Sequence, residues 1–592
     1  MSAQNPGILA PAATDCEPVG AADLIQATTG QPGSKIALVA LHAGYSHSSL
    51  ALKSLAAHCR DQPFYPSIHC FETLVNISHQ RLLEQLLALE PRVVGFSTYL
   101  WNIDATLGLA ARLRRLLPEC RIVLGGPEAG PRGEELLGDH PELDYVVDGE
   151  GEAAWRDLLR LLLLRQGKPG RISGLIWRGP SRPVRNPQTL LPAEALPAPI
   201  ALGLMDLDKP LVYWETSRGC PYRCSFCGSA DEQLRAFPLE RIEADLRVLE
   251  GLQDKVVKLL DRSFHLGRER TVRLLERFAA TPVGLRFHLE LNPDRISPEA
   301  MAVFRQAPPG KFQFEIGLQS LNQPVLDAIN RRMDIPKALA NIRELVAMAR
   351  HPVHLDLIVG LPGEDEAHCR DSLDRVFRLH PGHLQLGTLK LLPGTPLRAQ
   401  AQQLGYRWDP RPPYEVLSHP LLGFQQIARF KRYAVLLERL WNSGYLVATL
   451  SRLVPACYQD RVSACWDDLL ATQGEGIVWD KLQPDTLYER VCDFLQPWLA
   501  RDALLGQLLL WDYSQFSLVT RKTPPWIAAG LCHQKTLVVD GSRRRLPLLS
   551  LSEAAVALIN RRRITPLEAG RYAVWPRQRQ RGRPVRVIPV PD

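Results

Sequence analysis

The chain has 592 residues, enough for three or four domains, and its 45% hydrophobic fraction is ordinary for a globular protein. Lys and Arg exceed Asp and Glu by eight, but the last 22 residues, with six Arg and one Asp, hold five of those charges. The rest is close to neutral and argues against a polyanion-binding function, while the absence of any apolar run near 20 residues argues against a membrane span.

Residues 1–34 are rich in Ala, Pro, Gly and Thr without a period and read as a disordered N-terminus without a signal peptide. From there β-branched runs alternate with helical spacing. Strands are predicted at Lys35–Leu41, Ser67–Phe71, Arg92–Ser97, Arg121–Leu124 and Tyr145–Val147, with helices such as Leu50–Cys59, Gln80–Leu89 and Ala105–Leu117 between them. This pattern predicts an α/β, flavodoxin-like doubly wound domain over 35–178. A Pro- and Arg-containing stretch, 179–210, reads as a linker.

A second block, 211–409, carries six strand candidates: Leu211–Thr216, Val256–Leu260, Leu285–Leu291, Phe312–Leu318, Val353–Val359 and His383–Leu391. Helical patterns separate them, which predicts a partial (β/α)6 barrel whose ligands lie at the carboxyl ends of the strands. From Pro410 the alternation stops. Phe424–Asn442 and Pro484–Leu505 are helical in pattern, so 410–570 reads as a mainly helical C-terminal domain and 571–592 as a solvated basic tail.

The sharpest motif opens the barrel. Thr216-Ser-Arg-Gly-Cys220-Pro-Tyr-Arg-Cys224-Ser-Phe226-Cys227-Gly228 places three cysteines in C-x3-C-x2-C spacing where the first barrel strand ends. Cysteine thiolates are the usual ligands of iron–sulfur clusters, and three of them leave one iron of a 4Fe-4S cluster open. A structural zinc needs a fourth ligand, and no second cysteine pair follows. Cys457, Cys465, Cys492 and Cys532 are too widely spaced for a second cluster.

This loop resembles that of the radical S-adenosylmethionine (SAM) superfamily. The resemblance continues through Lys258-Leu-Leu-Asp261, Glu315-Ile-Gly317-Leu-Gln319-Ser320, Asp356-Leu-Ile-Val-Gly360-Leu-Pro-Gly363-Glu364 and Leu389-Lys-Leu-Leu-Pro393-Gly-Thr395. It implies that Cys220, Cys224 and Cys227 hold the cluster and carry the catalysis. It implies also that SAM is contacted by Phe226, Gly228, Asp261, Glu315, Gln319, Gly360 and Gly363. Glu290, Glu315 and Gln319 are candidates to touch substrate or cofactor.

The domain order resembles the cobalamin-binding class of that superfamily. Gly95, Ser97, Thr98, Gly125 and Gly126, at the ends of the third and fourth strands, would then face the cobalamin tail. The alternative is a scaffold, since glycines at strand ends form tight βα turns in any doubly wound domain. The Asp-x-His-x-x-Gly signature is missing after the first strand, which removes His42 and His47 as assigned cobalt ligands. Beyond residue 400 the chain resembles an uncharacterised C-terminal domain of one subgroup.

The resemblance implies an enzyme that forms a 5′-deoxyadenosyl radical, with possible methyl transfer to an unactivated carbon. Radical rearrangement or oxidation without methyl transfer, or a cluster- or cobalamin-responsive regulator, are the alternatives. It implies an electron donor such as flavodoxin or ferredoxin; composition and charge point to a cytoplasmic protein with no membrane partner and argue against nucleic acid, and the substrate is not named.

Overall fold

The computed structural model describes residues 35–530 apart from Asp231, Leu266, Glu475 and 517–522, and then 534–539, 542–560, 567–568, 570–575 and 586–590. The predicted disordered segment 1–34 lies outside the described residues.

The first domain is built on β1 (Ile36–His42), β2 (Ile68–Leu74), β3 (Val93–Ser97), β4 (Arg121–Gly125) and β5 (Tyr145–Val147). They run parallel in the order β2-β1-β3-β4-β5, the flavodoxin-like winding. Both faces are covered, so Ile36 to Leu41 is apolar and buried at every position. Helix Ile103–Leu116 packs Leu109 and Leu113 against Val94 and Phe96 on one face. Helix Gly151–Leu164 packs Trp155 and Leu158 against Leu38 and Val123 on the other. The sheet then continues into the predicted linker. A hairpin of β6 (Leu175–Arg178) and β7 (Pro183–Arg185) adds two antiparallel strands. Three or four residues with polar ends carry too little periodicity to announce a strand.

The second domain holds β8 (Leu211–Trp214), the short pair β9 (Ser217–Arg218) and β10 (Arg235–Ala236), then β11 (Lys255–Leu259), β12 (Leu285–Leu291), β13 (Phe312–Gln319), β14 (Val353–Val359) and β15 (His383–Thr388). The six long strands are parallel in the order β8-β11-β12-β13-β14-β15, with β8 and β15 as open edges. This is the predicted partial barrel.

Its strands alternate strictly. Phe287, Phe314, Ile316, Leu355 and Leu357 are buried beneath the helices; the Phe278 and Phe287 rings stack at 4.5 Å and those of Phe304 and Phe314 meet at 4.6 Å. With a side-chain period of two, the intervening His288, Glu290, Gln313, Glu315, His354 and Asp356 face inward. A closed barrel of this kind fills its interior with branched apolar residues. Here the inward-facing set is polar and titratable instead.

Both open edges are covered. Along β15 lies helix Phe424–Leu436, continued by a π-helical turn Leu437–Asn442. The Asn442 side chain accepts the Leu384 N–H at 2.9 Å and donates to its C=O at 3.0 Å, standing in for a neighbouring strand. At β8 the loop after β1 closes in. Lys209 donates to the Tyr45 carbonyl at 3.0 Å, and the Tyr213 hydroxyl meets His47 Nδ1, their rings stacked at 5.8 Å.

Helices Val447–Tyr458, Val462–Gln473, Pro484–Leu499 and Ala503–Ser514 follow, packed around Trp441, Trp466, Tyr445, Tyr488 and Tyr513. Buried Asp512 accepts from the Thr449 N–H and hydroxyl at 2.8 and 2.7 Å. The end of the chain departs from the expectation of a solvated tail. β16 (Gln534–Val539), β17 (Ser542–Leu551), β18 (Gly570–Trp575) and β19 (Arg586–Pro589) form an antiparallel sheet. Tyr572 and Val574 are buried in the main core. Arginine richness masked the short apolar alternation of β18. Among the described residues no helix is long and apolar enough to cross a membrane.

Candidate functional site

The cysteine loop leaves β8 and is pinned at its root. Asp261, 0% exposed, accepts from the Thr216 N–H at 2.8 Å, the Thr216 hydroxyl at 2.6 Å and the Ser217 hydroxyl at 2.5 Å. Burial pushes its carboxyl up to about 6 despite those three bonds. Asp261 therefore holds the loop, and its oxygens are occupied; the expected SAM contact is replaced by a positioning role.

The loop is held at its far side too. Ser225 N–H donates to the Ile329 carbonyl and Leu397 N–H to the Ser225 carbonyl, both at 2.9 Å. Cys224 is buried, while Cys220 and Cys227 are half-buried and Phe226 packs on the barrel core. Burial pushes the Cys220 thiol up to about 11 and raises Cys224, which Arg331 Nη1, 3.6 Å from its sulfur, draws partly back. Thiols so buried need a cationic partner to ionise. Among the described residues no three His, Cys, Asp or Glu side chains converge closely enough to hold a single metal ion.

At the barrel mouth, Gln319 has a left-handed backbone (φ 70°) at a bulge in the β13–β14 pairing, folded back over Gly317. Such strain collects at functional sites. Arg331 donates to the Gly317 carbonyl. Gly360 (φ 94°) needs glycine for its conformation; its carbonyl accepts from the Tyr406 hydroxyl at 2.9 Å. Gly363 also has positive φ, and Gly228 is exposed; a Cβ on either would meet nothing within 4 Å.

Below the mouth, Glu315 sits 2.7 Å from His288 Nε2 and 3.2 Å from Lys258 Nζ. Burial pushes Glu315 up, but the His288 bond and the Lys258 charge outweigh it and hold the carboxyl well below its usual range. Glu290 and Asp356 go the other way, raised by burial and by the negative Glu315. His354, 3.1 Å from Gln313, is pushed down to about 3 by burial and by its neighbours His383 and His288, so it stays neutral. The inward set of Lys258, His288, His354 and Asp356 was not assigned from sequence, although the alternation in Leu285–Leu291 and Val353–Val359 carried the signal. Arg331 had no sequence signal.

The first domain presents its carboxyl sheet edge to this mouth. Thr98 donates through its hydroxyl to the Gly125 carbonyl at 2.8 Å and accepts from the Ala129 N–H at 3.1 Å. At Gly126 (φ 107°) a Cβ would lie 2.5 Å from the Thr98 carbonyl oxygen, so only glycine fits there. Ser97 is buried, its carbonyl accepting from Asn102, and Gly125 has only Val147 near its missing Cβ, at 3.8 Å. Gly95 has another reason. A Cβ there would lie 2.8 Å from the Trp155 ring, so Gly95 makes room for a side chain of this protein rather than for a cofactor tail. Of the two loop histidines, His42 is bonded to Glu72 at 2.8 Å and His47 to Tyr213. Arg218 ties the domains together through Glu152 at 2.7 Å.

Known proteins bear on this arrangement. A Radical SAM superfamily model matches residues 214–376, a B12 binding domain model matches 36–159, and a family described as Protein of unknown function (DUF4080) matches 402–537. The chain is 28% identical over 337 residues to 2-(S-pantetheinyl)-carbapenam-3-carboxylate methyltransferase of Streptantibioticus cattleyicolor, covering 54% of this chain and 49% of that one. It is 27% identical over 348 residues to the cobalamin-dependent radical SAM methyltransferase TokK of Streptomyces tokunonensis, covering 55% and 51%. The chain thus spans about half the length of these relatives. Among solved structures, OxsB with aqua-cobalamin and SAM bound superimposes with a TM-score of 0.57 at 14% identity, over 81% of this chain and 78% of that one. TsrM from Kitasatospora setae gives 0.53 at 18%, over 67% and 81%. These two likenesses establish the fold.

The radical SAM domain implies a 4Fe-4S cluster and SAM, which the grouped thiols and strained mouth fit; the B12-binding domain implies cobalamin, which the open space at Gly125 fits, whereas Ser97 and Thr98 are buried and Gly126 makes room for the Thr98 carbonyl. The chain thus carries, in order, a B12-binding domain, a radical SAM domain and a DUF4080 domain.

Proposed function

We propose that this chain is a cobalamin-dependent radical SAM methyltransferase that methylates an unactivated carbon of a substrate held in the polar barrel interior. The observation that carries this reading is the juxtaposition of the cysteine loop and the carboxyl edge of the first sheet, fixed by Arg218–Glu152 and Tyr213–His47.

When bound, the cluster with SAM supplies a 5′-deoxyadenosyl radical, and cobalamin supplies a transferable methyl group. The chain does the rest. Cys220, Cys224 and Cys227 hold the cluster, with Arg331 stabilising negative charge on Cys224. Asp261 fixes the loop. Lys258, paired with Glu315, presents a cation to the interior, while Glu290 and Asp356, raised by burial, can offer a carboxyl proton as a hydrogen-bond donor. The loop after β1 and helix Phe424–Leu436 cover the barrel edges and restrict water, which a carbon radical requires.

The ten described cysteines, all unpaired, suit a reducing cytoplasm. A low-potential carrier such as flavodoxin or ferredoxin would supply the electron. The test is anaerobic incubation of the reconstituted protein with dithionite and SAM. Methyl transfer gives both 5′-deoxyadenosine and S-adenosylhomocysteine. Deoxyadenosine alone points to rearrangement or oxidation, and neither product points to a regulator.

A further inference from the structure

The segment that opens the DUF4080 region lies between the barrel mouth and the first domain. Residues 406–418 form a hairpin in which Arg407–Trp408 pairs antiparallel with Val416–Ser418. Its return arm runs antiparallel beside the end of the barrel. Leu391 N–H donates to the Tyr414 carbonyl at 3.0 Å, and Val416 N–H to the Leu389 carbonyl at 2.9 Å. Leu397, whose N–H reaches Ser225 in the cysteine loop, is followed by Arg398. The Arg398 guanidinium lies 4.6 Å from the Trp408 ring and 5.4 Å from the Tyr414 ring.

On its other side the hairpin meets the loop after β4. The Tyr414 hydroxyl donates to the Glu128 carboxyl, and Arg132 Nη1 closes a triangle, 2.9 Å from the hydroxyl and 3.0 Å from Glu128. Tyr414 and Glu128 are each 2% exposed. A buried carboxyl that loses a donor is destabilised by more than an ordinary hydrogen bond contributes. Tyr414 also has a left-handed backbone (φ 58°), which a bulky residue keeps only where its surroundings impose it. Glu128 stands three residues beyond Gly125, where the first sheet has open space for cobalamin. The Thr98 hydroxyl bonds both the Gly125 carbonyl and the Ala129 N–H, so residues 125–129 move together and a shift at Glu128 is passed to Gly125.

We propose that Tyr414 is a positioning residue for cobalamin: through Glu128 it sets the loop after β4 relative to the cysteine loop, and the opening hairpin of the DUF4080 region thereby fixes the spacing of the two cofactors. The inference rests on the cobalamin assignment under the proposed function. The parts of Tyr414 divide the work. Its carbonyl and ring face the barrel side, through Leu391 and Arg398, and its hydroxyl alone reaches the first domain.

The test uses the full chain with its cluster reconstituted, hydroxocobalamin as the probe, and Tyr414→Phe, Glu128→Ala, their combination, and Glu128→Gln, which keeps an acceptor oxygen for the hydroxyl. The Kd for hydroxocobalamin should rise at least fivefold in Tyr414→Phe and in Glu128→Ala, no further in the double variant, and less than twofold in Glu128→Gln. Iron content should stay at the wild-type level in all four. In cobalamin-free protein, amide exchange over residues 125–132 should quicken in Tyr414→Phe and not in Glu128→Gln. An unchanged Kd in Tyr414→Phe, or additive effects in the double variant, overturns the proposal. Loss of iron in step with cobalamin overturns it too, since a general structural role would produce that. A wild type that binds no hydroxocobalamin strikes the cobalamin reading instead, and the exchange comparison still decides whether Tyr414 holds the loop: unchanged exchange in Tyr414→Phe shows that it does not.

Discussion

Asp261 accepts hydrogen bonds from both the backbone N–H and the hydroxyl of Thr216, at 2.8 and 2.6 Å, and so fixes the residue from which the cysteine loop departs. Hydrogen bonds to a buried charged group contribute about 1.5–3 kcal/mol each. Asp261→Ala should therefore destabilise the barrel by about 3 kcal/mol or more and lower iron bound after reconstitution at least twofold. Iron content and melting temperature check this; wild-type values for both would show that the loop holds itself.

Gly360 occupies a left-handed conformation that a β-branched residue adopts only under strain of about 1–3 kcal/mol. Gly360→Val should lower the melting temperature and weaken SAM binding through displacement of the turn after β14, which the Tyr406 hydroxyl holds by donating to the Gly360 carbonyl. Equilibrium dialysis with SAM measures the effect, and unchanged affinity would separate this turn from the SAM site.

The Glu364 carboxyl is 1% exposed, donates to or accepts from the Ser320 hydroxyl at 2.7 Å according to its protonation, and is pushed by burial up to about 7. Its folded value lies above its unfolded one, so between about pH 4.5 and 7 the folded state binds more protons. Stability then falls as pH rises through that window. Glu364→Gln should remove this part of the slope: equal melting temperature at pH 5, higher than wild type at pH 8. A parallel pair of melting curves across that range would contradict it.

Gly95 and Trp155 should behave as a coupled pair. Gly95→Ala alone places a methyl against the indole and should cost about 1–3 kcal/mol by overpacking. Combined with Trp155→Phe, the cost should be smaller than the sum of the two single changes. Strict additivity of the melting shifts would show that the indole yields without cost.

Much of this was legible in the chain. The parallel order of the first sheet followed from apolar runs between amphipathic helices, and the barrel strands from six such runs in series. The three cysteines stood out because their spacing is rare by chance and their chemistry narrow. What sequence hid is three-dimensional. Asp261 looks like any polar strand end until Thr216 and Ser217 are seen to consume its oxygens. Gly95 looks like a cofactor glycine until Trp155, 60 positions along, fills the space above it. The strands after Gly570 were hidden by composition, since arginines dominate a segment whose Tyr572 and Val574 are buried.

The most direct test of the central claim is product analysis after anaerobic reconstitution with iron, sulfide and cobalamin, using methyl-deuterated SAM and dithionite. The account predicts about four irons per chain and release of both 5′-deoxyadenosine and S-adenosylhomocysteine, each abolished by Cys220→Ala, Cys224→Ala or Cys227→Ala. A protein that carries an intact cluster and cobalamin yet releases neither product, or one that is fully active with zinc in place of iron, would contradict it.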